Sequence, residues 1–162
     1  MNVQDVMMRT PASCSPETNL GAAVEILWSR NCGILPIVDA KQKVIGVVTD
    51  RDLCMALGTR NRLAGQITVG EVASGEAYTC RAQDDIHVAM QTMGRKRVRR
   101  LPVVNEDGVL EGILSMDNVV LHTDAAGWGR PAELSQEDVV KTLRQIYGPQ
   151  LPQVVQARAV AV

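Results

Sequence analysis

The chain has 162 residues, 46% of them apolar, and a formal net charge of −1. That length and apolar fraction suit one compact domain, or two small subdomains sharing a core, and exclude wholesale disorder. The charge balance excludes a global attraction to nucleic acid or an anionic membrane, so any such role needs a local basic patch.

Aromatic residues make up only 2% and Phe is absent, so the core must be built from Val, Leu, Ile, Met and Ala. The N-terminal stretch "MNVQDVMMRTPASC" has no basic segment followed by an apolar one, and so no signal-peptide pattern. No apolar run approaches the roughly 18 residues that a membrane span requires. A soluble, cytoplasmic protein is expected. Cys14, Cys32, Cys54 and Cys80 form no CxxC pair and have no histidine at a zinc-like spacing. They read as reduced, mostly buried thiols.

In chain order, a short extended piece is expected over residues 12–15. Leu20, Ala23, Val24 and Leu27 then fall at i, i+3, i+4 and i+7, the stripe of a helix with one buried face. "SPET" ahead of it supplies start signals. "GILPIVD" reads as a buried strand, "AKQK" as a turn and "VIGVVT" as a second strand. "DRDLCMAL" reads as a short helix stopped by Gly58. The same order then returns. A helix is expected from about residue 85 to 95, strands over 101–104 and 110–114 with "NEDG" as their turn, and a short helix near Asp117. Residues 125–134 read as a linker. "SQEDVVKTLRQIYG" is a further helix, with Ser135 and Asp138 in a capping-box pattern and Val139, Val140, Leu143, Ile146 and Tyr147 as its apolar stripe. Gly148 and Pro149 end it. It packs on its own protomer or docks a partner.

The recurrence is a true repeat. At a constant offset of 66, "LPIVD" (35–39) falls on "LPVVN" (101–105) and "GVVTDRDL" (46–53) on "GILSMDNV" (112–119). "VQDV" (3–6) falls on "VGEV" (69–72) and Cys14 on Cys80, with no gap from residue 3 to 53. Each unit reads β-α-β-β-α, over residues 1–64 and 65–124, and the tail occupies 125–162. The fold class is α+β. A sheet with two helices on one face leaves the other bare, and two copies can bury those faces together.

The pattern of an amphipathic helix, "hPVV(D/N)", a turn and "Ghh(T/S)xxD" resembles the CBS domain family. Two tandem copies resemble a CBS pair, or Bateman module, over about residues 1 to 124. The resemblance implies a pseudo-two-fold pair of repeats acting as a regulatory module rather than a catalyst. It implies an adenosine-containing regulatory ligand (AMP, ADP or ATP) in a cleft between the repeats and no catalytic cofactor. It also implies a homodimer formed through the helices and a protein partner that the sequence does not identify. A ligand-free dimerisation scaffold is the alternative.

Thr49, Arg51 and Asp52 are the first candidate site residues. A short carboxylate at a helix start can accept hydrogen bonds from both ribose hydroxyls. The threonine hydroxyl, the first-turn amides and the arginine can meet a phosphate. The same spacing is also that of a capping box, and the two roles are compatible. In the second repeat Ser115 and Asn118 replace Thr49 and Asp52, and Asp117 replaces Arg51. Two unequal clefts are therefore expected, the weaker one built on Ile34, Ser115 and Asn118.

"RKRVRR" (95–100) is the strongest charge feature. Arg95, Lys96 and Arg97 suit a helix C-terminus. The run is short and lacks stacking aromatics, which argues against a nucleic-acid patch. Arg99 and Arg100 precede "LPVV", and the resemblance places one of them by the phosphates of the Asp52 cleft. The matching residues of the first repeat, Gly33 and Ile34, are uncharged. Tyr78 is either a wall for an adenine ring or a core aromatic with a wet hydroxyl. His87 and His122 have no carboxylate or cysteine at a triad-like or metal-like spacing. No P-loop, Rossmann fingerprint or acid pair points to catalysis or to a metal.

Overall fold

The computed structural model describes residues 1–73, 76–123 and 133–149. Each repeat begins with a one-turn helix, α1 (Val3–Val6) and α4 (Val69–Val72), which the sequence reading had not distinguished. After α1, β1 (Met8–Arg9) leads to α2 (Leu20–Ser29), the hairpin β2 (Ile34–Val38) and β3 (Val44–Thr49), and α3 (Asp50–Thr59). A 3-10 turn at Ala64–Gln66 precedes α4. The second repeat follows with α5 (Ile86–Lys96), β4 (Arg100–Val104), β5 (Leu110–Ser115) and α6 (Met116–Leu121), and α7 (Gln136–Tyr147) closes the described chain.

The local chemistry explains most boundaries. Asn19, rather than "SPET", starts α2: its side-chain oxygen accepts the Ala22 N–H at 2.9 Å. "SPET" folds as a turn, with the Thr18 N–H donating to the Ser15 carbonyl at 3.1 Å. Gly58 does not stop α3 but lies in its last turn, and Arg60 is the cap. In α2, Leu20, Ala23 and Leu27 are buried, whereas Val24 faces outward. The piece at 12–15 contributes one parallel bridge, from Cys14 to Ile37, and Cys80 bridges Val103 in the same way. Cys14 and Cys80 are buried, Cys32 is half-buried and Cys54 is exposed, so the cysteines divide evenly rather than being mostly buried.

The pseudo-two-fold shows in paired bonds. The Val3 N–H donates to the Asp84 carbonyl at 2.9 Å, and its counterpart Val69 N–H donates to the Thr18 carbonyl at 2.8 Å. At the hairpin tips, the Val44 N–H donates to the Gly108 carbonyl and the Leu110 N–H to the Gln42 carbonyl. The leading helices are thus exchanged. Val3 and Val6 join a core with Ile86, Met90, Met93, Leu101 and Leu114 of the second repeat. Ile67 and Val69 join the core of Leu20, Leu35, Val48 and Leu53 in the first. Burying a valine or leucine fully is worth about 1.5–3 kcal/mol, so the exchange ties the repeats together with apolar area as well as hydrogen bonds.

β1 extends this crossing by pairing with β5 (Met8 opposite Ile113), which makes the second sheet β1-β5-β4; among the described residues the first sheet is β2-β3. Gly112 permits it, because a Cβ there would sit 2.8 Å from the Met8 carbonyl oxygen. The expected linker over 125–134 lies outside the described residues except for Glu133 and Leu134, and Leu134 is fully buried. α7 packs on α5 and α6 through buried Val139, Thr142 and Ile146. Val140 and Tyr147, expected in its apolar stripe, are exposed. No helix of the described residues is long and apolar enough to cross a membrane.

Candidate ligand-binding clefts

β3 delivers Thr49 to the start of α3, and antiparallel pairing sets Ile34 opposite it. Asp52 closes the capping box. Its Oδ2 accepts the Thr49 N–H at 2.9 Å and the Thr49 hydroxyl at 2.7 Å, and the Asp52 N–H donates to Thr49 Oγ1 at 3.3 Å. The Asp50 Oδ1 accepts the Arg51 N–H at 2.8 Å. The Arg51 and Asp52 amides, expected to meet a phosphate, are therefore already engaged by neighbouring side chains.

The other repeat supplies those side chains. A cleft of about 380 Å³ is lined by Thr49, Arg51 and Asp52 from the first repeat and by Tyr78, Arg99 and Arg100 from the second. This lies within the roughly 300–1,000 Å³ usual for small-molecule sites. All six sequence candidates meet here. Ile34 lines it too, together with Asp50, Glu76 and Arg97, which the sequence reading had not placed. Arg97 was assigned to the helix end, and it is the cap of α5, with a left-handed φ of 57°. That backbone turn swings it toward the cleft, and a short polar-basic run gives little sign of such a turn. Its guanidinium also donates to the Gly148 carbonyl at the end of α7.

The basic run does not form one face. Arg95 bonds Gln91 at 2.9 Å, Lys96 lies over Tyr78, Arg97 reaches Gly148, and Arg100 lies 3.5 Å from Asp117. Tyr78 packs on the second core and lines the cleft, with Lys96 Nζ 4.5 Å from its ring centroid.

Ser115, Asn118 and Ile34 line a second cleft of about 440 Å³. The Ser115 hydroxyl donates to Asn118 Oδ1 at 2.6 Å, and the Asn118 N–H donates to Ser115 Oγ at 3.1 Å, which repeats two of the three Thr49–Asp52 bonds without the charge. Alignment left this cleft without a cation. Folding gives it Arg9, Arg30 and Arg100. Two of these come from outside the aligned motif, and Arg100 lines both clefts.

His87, read as isolated, has carboxylates on both sides. Its Nδ1 is 3.1 Å from Asp85 Oδ1 and its Nε2 is 3.6 Å from Asp138 Oδ2. Asp138 lies 51 residues away in sequence, so only the docking of α7 reveals it. Hydrogen bonds from the Ser135 hydroxyl and N–H hold the Asp138 carboxyl below its usual range, and the His87 N–H does the same for Asp85. Among the described residues, no group of three or more His, Cys, Asp and Glu side chains could hold a metal ion.

Residues 3–59 and 69–123 each match the CBS domain. The CBS domain-containing protein YhcV of Bacillus subtilis is 30% identical over 122 residues, covering 75% of this chain and 84% of YhcV. An inosine-5'-monophosphate dehydrogenase of Nitrosopumilus maritimus is 25% identical over 119 residues, covering 74% of this chain. The chain spans only about a quarter of that dehydrogenase, 24% of its length. Among solved structures, the CBS domain protein PAE2072 from Pyrobaculum aerophilum, complexed with AMP, superposes with a TM-score of 0.67 at 25% identity, over 74% of this chain and 90% of that one.

Proposed function

The chain belongs to the CBS domain family, and on that footing we propose that it is a regulatory module that binds an adenosine-containing nucleotide of the AMP, ADP or ATP class. The ligand occupies the cleft of Thr49, Arg51 and Asp52. One observation carries the reading: an ordered carboxylate from one repeat and guanidinium groups from the other converge on a single cleft of nucleotide size. Asp52 accepts the ribose hydroxyls, Arg51 and Arg99 or Arg100 meet the phosphate, and adenine takes the face of Tyr78 that Lys96 leaves. The AMP bound to PAE2072 supports the ligand class. The nucleotide is a regulatory ligand rather than a catalytic cofactor, and the module reports its occupancy to a protein partner in the cytoplasm. The second cleft, on Ile34, Ser115 and Asn118, binds more weakly because Asn118 lacks the carboxylate charge. In sequence the parts are 1–64, 65–124 and the tail 125–162.

The assembly is a homodimer through the first repeat. Its α2–α3 face forms an apolar groove of about 710 Å³ that includes Val24, Trp28 and Leu57. The equivalent face of the second repeat is covered by α7. Trp28 is 87% exposed, whereas its counterpart Gly94 lies buried beneath Gln145. The groove carries one acid and one base, Asp50 and Arg100. About a two-fold axis such a face is complementary to itself in charge, which favours a second copy as the occupant.

Thermal unfolding with AMP, ADP, ATP, S-adenosylmethionine and GTP tests the ligand. At about 100 times Kd, a ligand selective for the folded state adds roughly 2.7 kcal/mol, a rise of about 5–10 °C for a chain of this size. A shift with an adenosine compound that is lost in Asp52→Ala supports the site. No shift with any of them leaves the ligand-free scaffold.

A further inference from the structure

Ile34 and Arg100 hold corresponding positions in the two repeats, and each lines both clefts. They form the partition between the clefts, one side uncharged and the other a guanidinium. Arg100 Nη2 lies 3.5 Å from Asp117 Oδ2, in the second cleft. Its Nη1 reaches the other way, to within 3.7 Å of where a Cβ on Gly33 would stand, and Asp50 Oδ2 lies 3.2 Å from the same point. Gly33 and Asp50 both line the first cleft. Asp117 stands where the first repeat has Arg51, so the second repeat carries an acid in place of a base.

From this geometry we infer that Arg100 is one cation shared by the two clefts, and that Asp117 restrains it from the first. The inference rests on reading the first cleft as a nucleotide site. A guanidinium has five donors but a single charge. A phosphate entering the first cleft competes with Asp117 for that charge, and an anion in the second cleft competes in the same way. The two clefts are therefore negatively coupled, and by linkage each weakens the other by the same factor. Asp117 is 80% exposed, so its hold on Arg100 is that of a surface ion pair, about two- to five-fold in affinity.

Calorimetric titration of the full chain with adenosine, AMP and ATP tests this. In Asp117→Asn, AMP and ATP bind about two- to five-fold tighter while adenosine, which has no phosphate, is unchanged. In an Arg100→Met background the same substitution no longer alters AMP affinity. Equal tightening of adenosine and AMP overturns the inference, as does a gain that persists without Arg100, which marks a general field effect. Asp52→Ala separates the two levels. AMP binding that is absent, or indifferent to Asp52, removes the nucleotide reading and this inference with it. AMP binding that depends on Asp52 but not on Asp117 removes the inference alone. Unfolding midpoints of the ligand-free variants are read alongside, so that a folding loss is not mistaken for a binding change.

Discussion

Thr49 and Asp52 hold each other before any ligand arrives. The Asp52 carboxylate accepts two hydrogen bonds from Thr49 and the Asp52 backbone N–H donates one to the Thr49 hydroxyl oxygen, which fixes the carboxylate at the cleft. Thr49→Ala removes the cap and is expected to cost about 1 kcal/mol of stability, read from the urea midpoint. Asp52→Asn keeps an acceptor but drops the charge, leaving at this position the amide that the second cleft has at Asn118. It is expected to keep more stability than Asp52→Ala yet lose most nucleotide binding, so the pair separates capping from recognition. The thiols make another comparison at this scale. Desolvation by burial pushes Cys14 up to about 11, and burial together with nearby Asp84 pushes Cys80 up to about 12. Iodoacetamide at pH 8 is expected to label exposed Cys54 and to spare Cys14 and Cys80 by roughly two orders of magnitude until the chain unfolds.

At the scale of the element, α7 lies outside the two repeats. Its cap was legible, since Ser135 and Asp138 form the capping box that their spacing predicts. Its seat was not, because the apolar stripe does not say what covers it. Gly94 of α5 lets α7 approach closely: a Cβ there would lie 3.1 Å from Gln145 Cβ. Gly94→Leu is expected to lift α7, costing about 1–3 kcal/mol by overpacking and raising hydrogen exchange along 136–147. The Asp85–His87–Asp138 contacts add a pH dependence with a definite sign. Both carboxyls sit below their usual range in the folded state, so below pH 4 or so the unfolded chain binds more protons. Their contribution is complete above the unfolded pKa and is lost as pH falls through the folded values. Asp138→Asn is expected to flatten the decline of the urea midpoint as pH falls below about 4.

For the molecule as a whole, the two repeats differ most in what covers their helices. One carries α7 and the other presents Trp28. An exposed indole lining an apolar groove is a common composition of an interface hot spot. Trp28→Glu is expected to yield a monomer by light scattering, with the unfolding midpoint extrapolated to low concentration little changed. A dimer that survives this substitution places the interface elsewhere. The pairing of the repeats themselves depends on their exchanged leading helices and crossed hairpin tips. Both contacts are long-range, so the repeats are expected to unfold in one transition rather than two.

The sequence by itself determined the repeat, the order of helices and strands, the α+β class, the family and the capped turns at Thr49, Ser115 and Ser135. These are local matters: hydrophobic period, turn residues and i, i+3 capping all act within a few residues, and a 66-residue offset makes each visible twice. The resemblance brought forward Arg99 and Arg100, and Tyr78 stood out as an aromatic at the start of the second repeat. Tertiary structure alone decided that α1 and α4 change partners, that Arg97 lines the cleft and that His87 meets Asp138. It also decided that Arg100 stands between two clefts rather than in one. Each of these joins groups far apart in the chain. Their distance depends on how two packed cores settle against each other, and no local pattern encodes that.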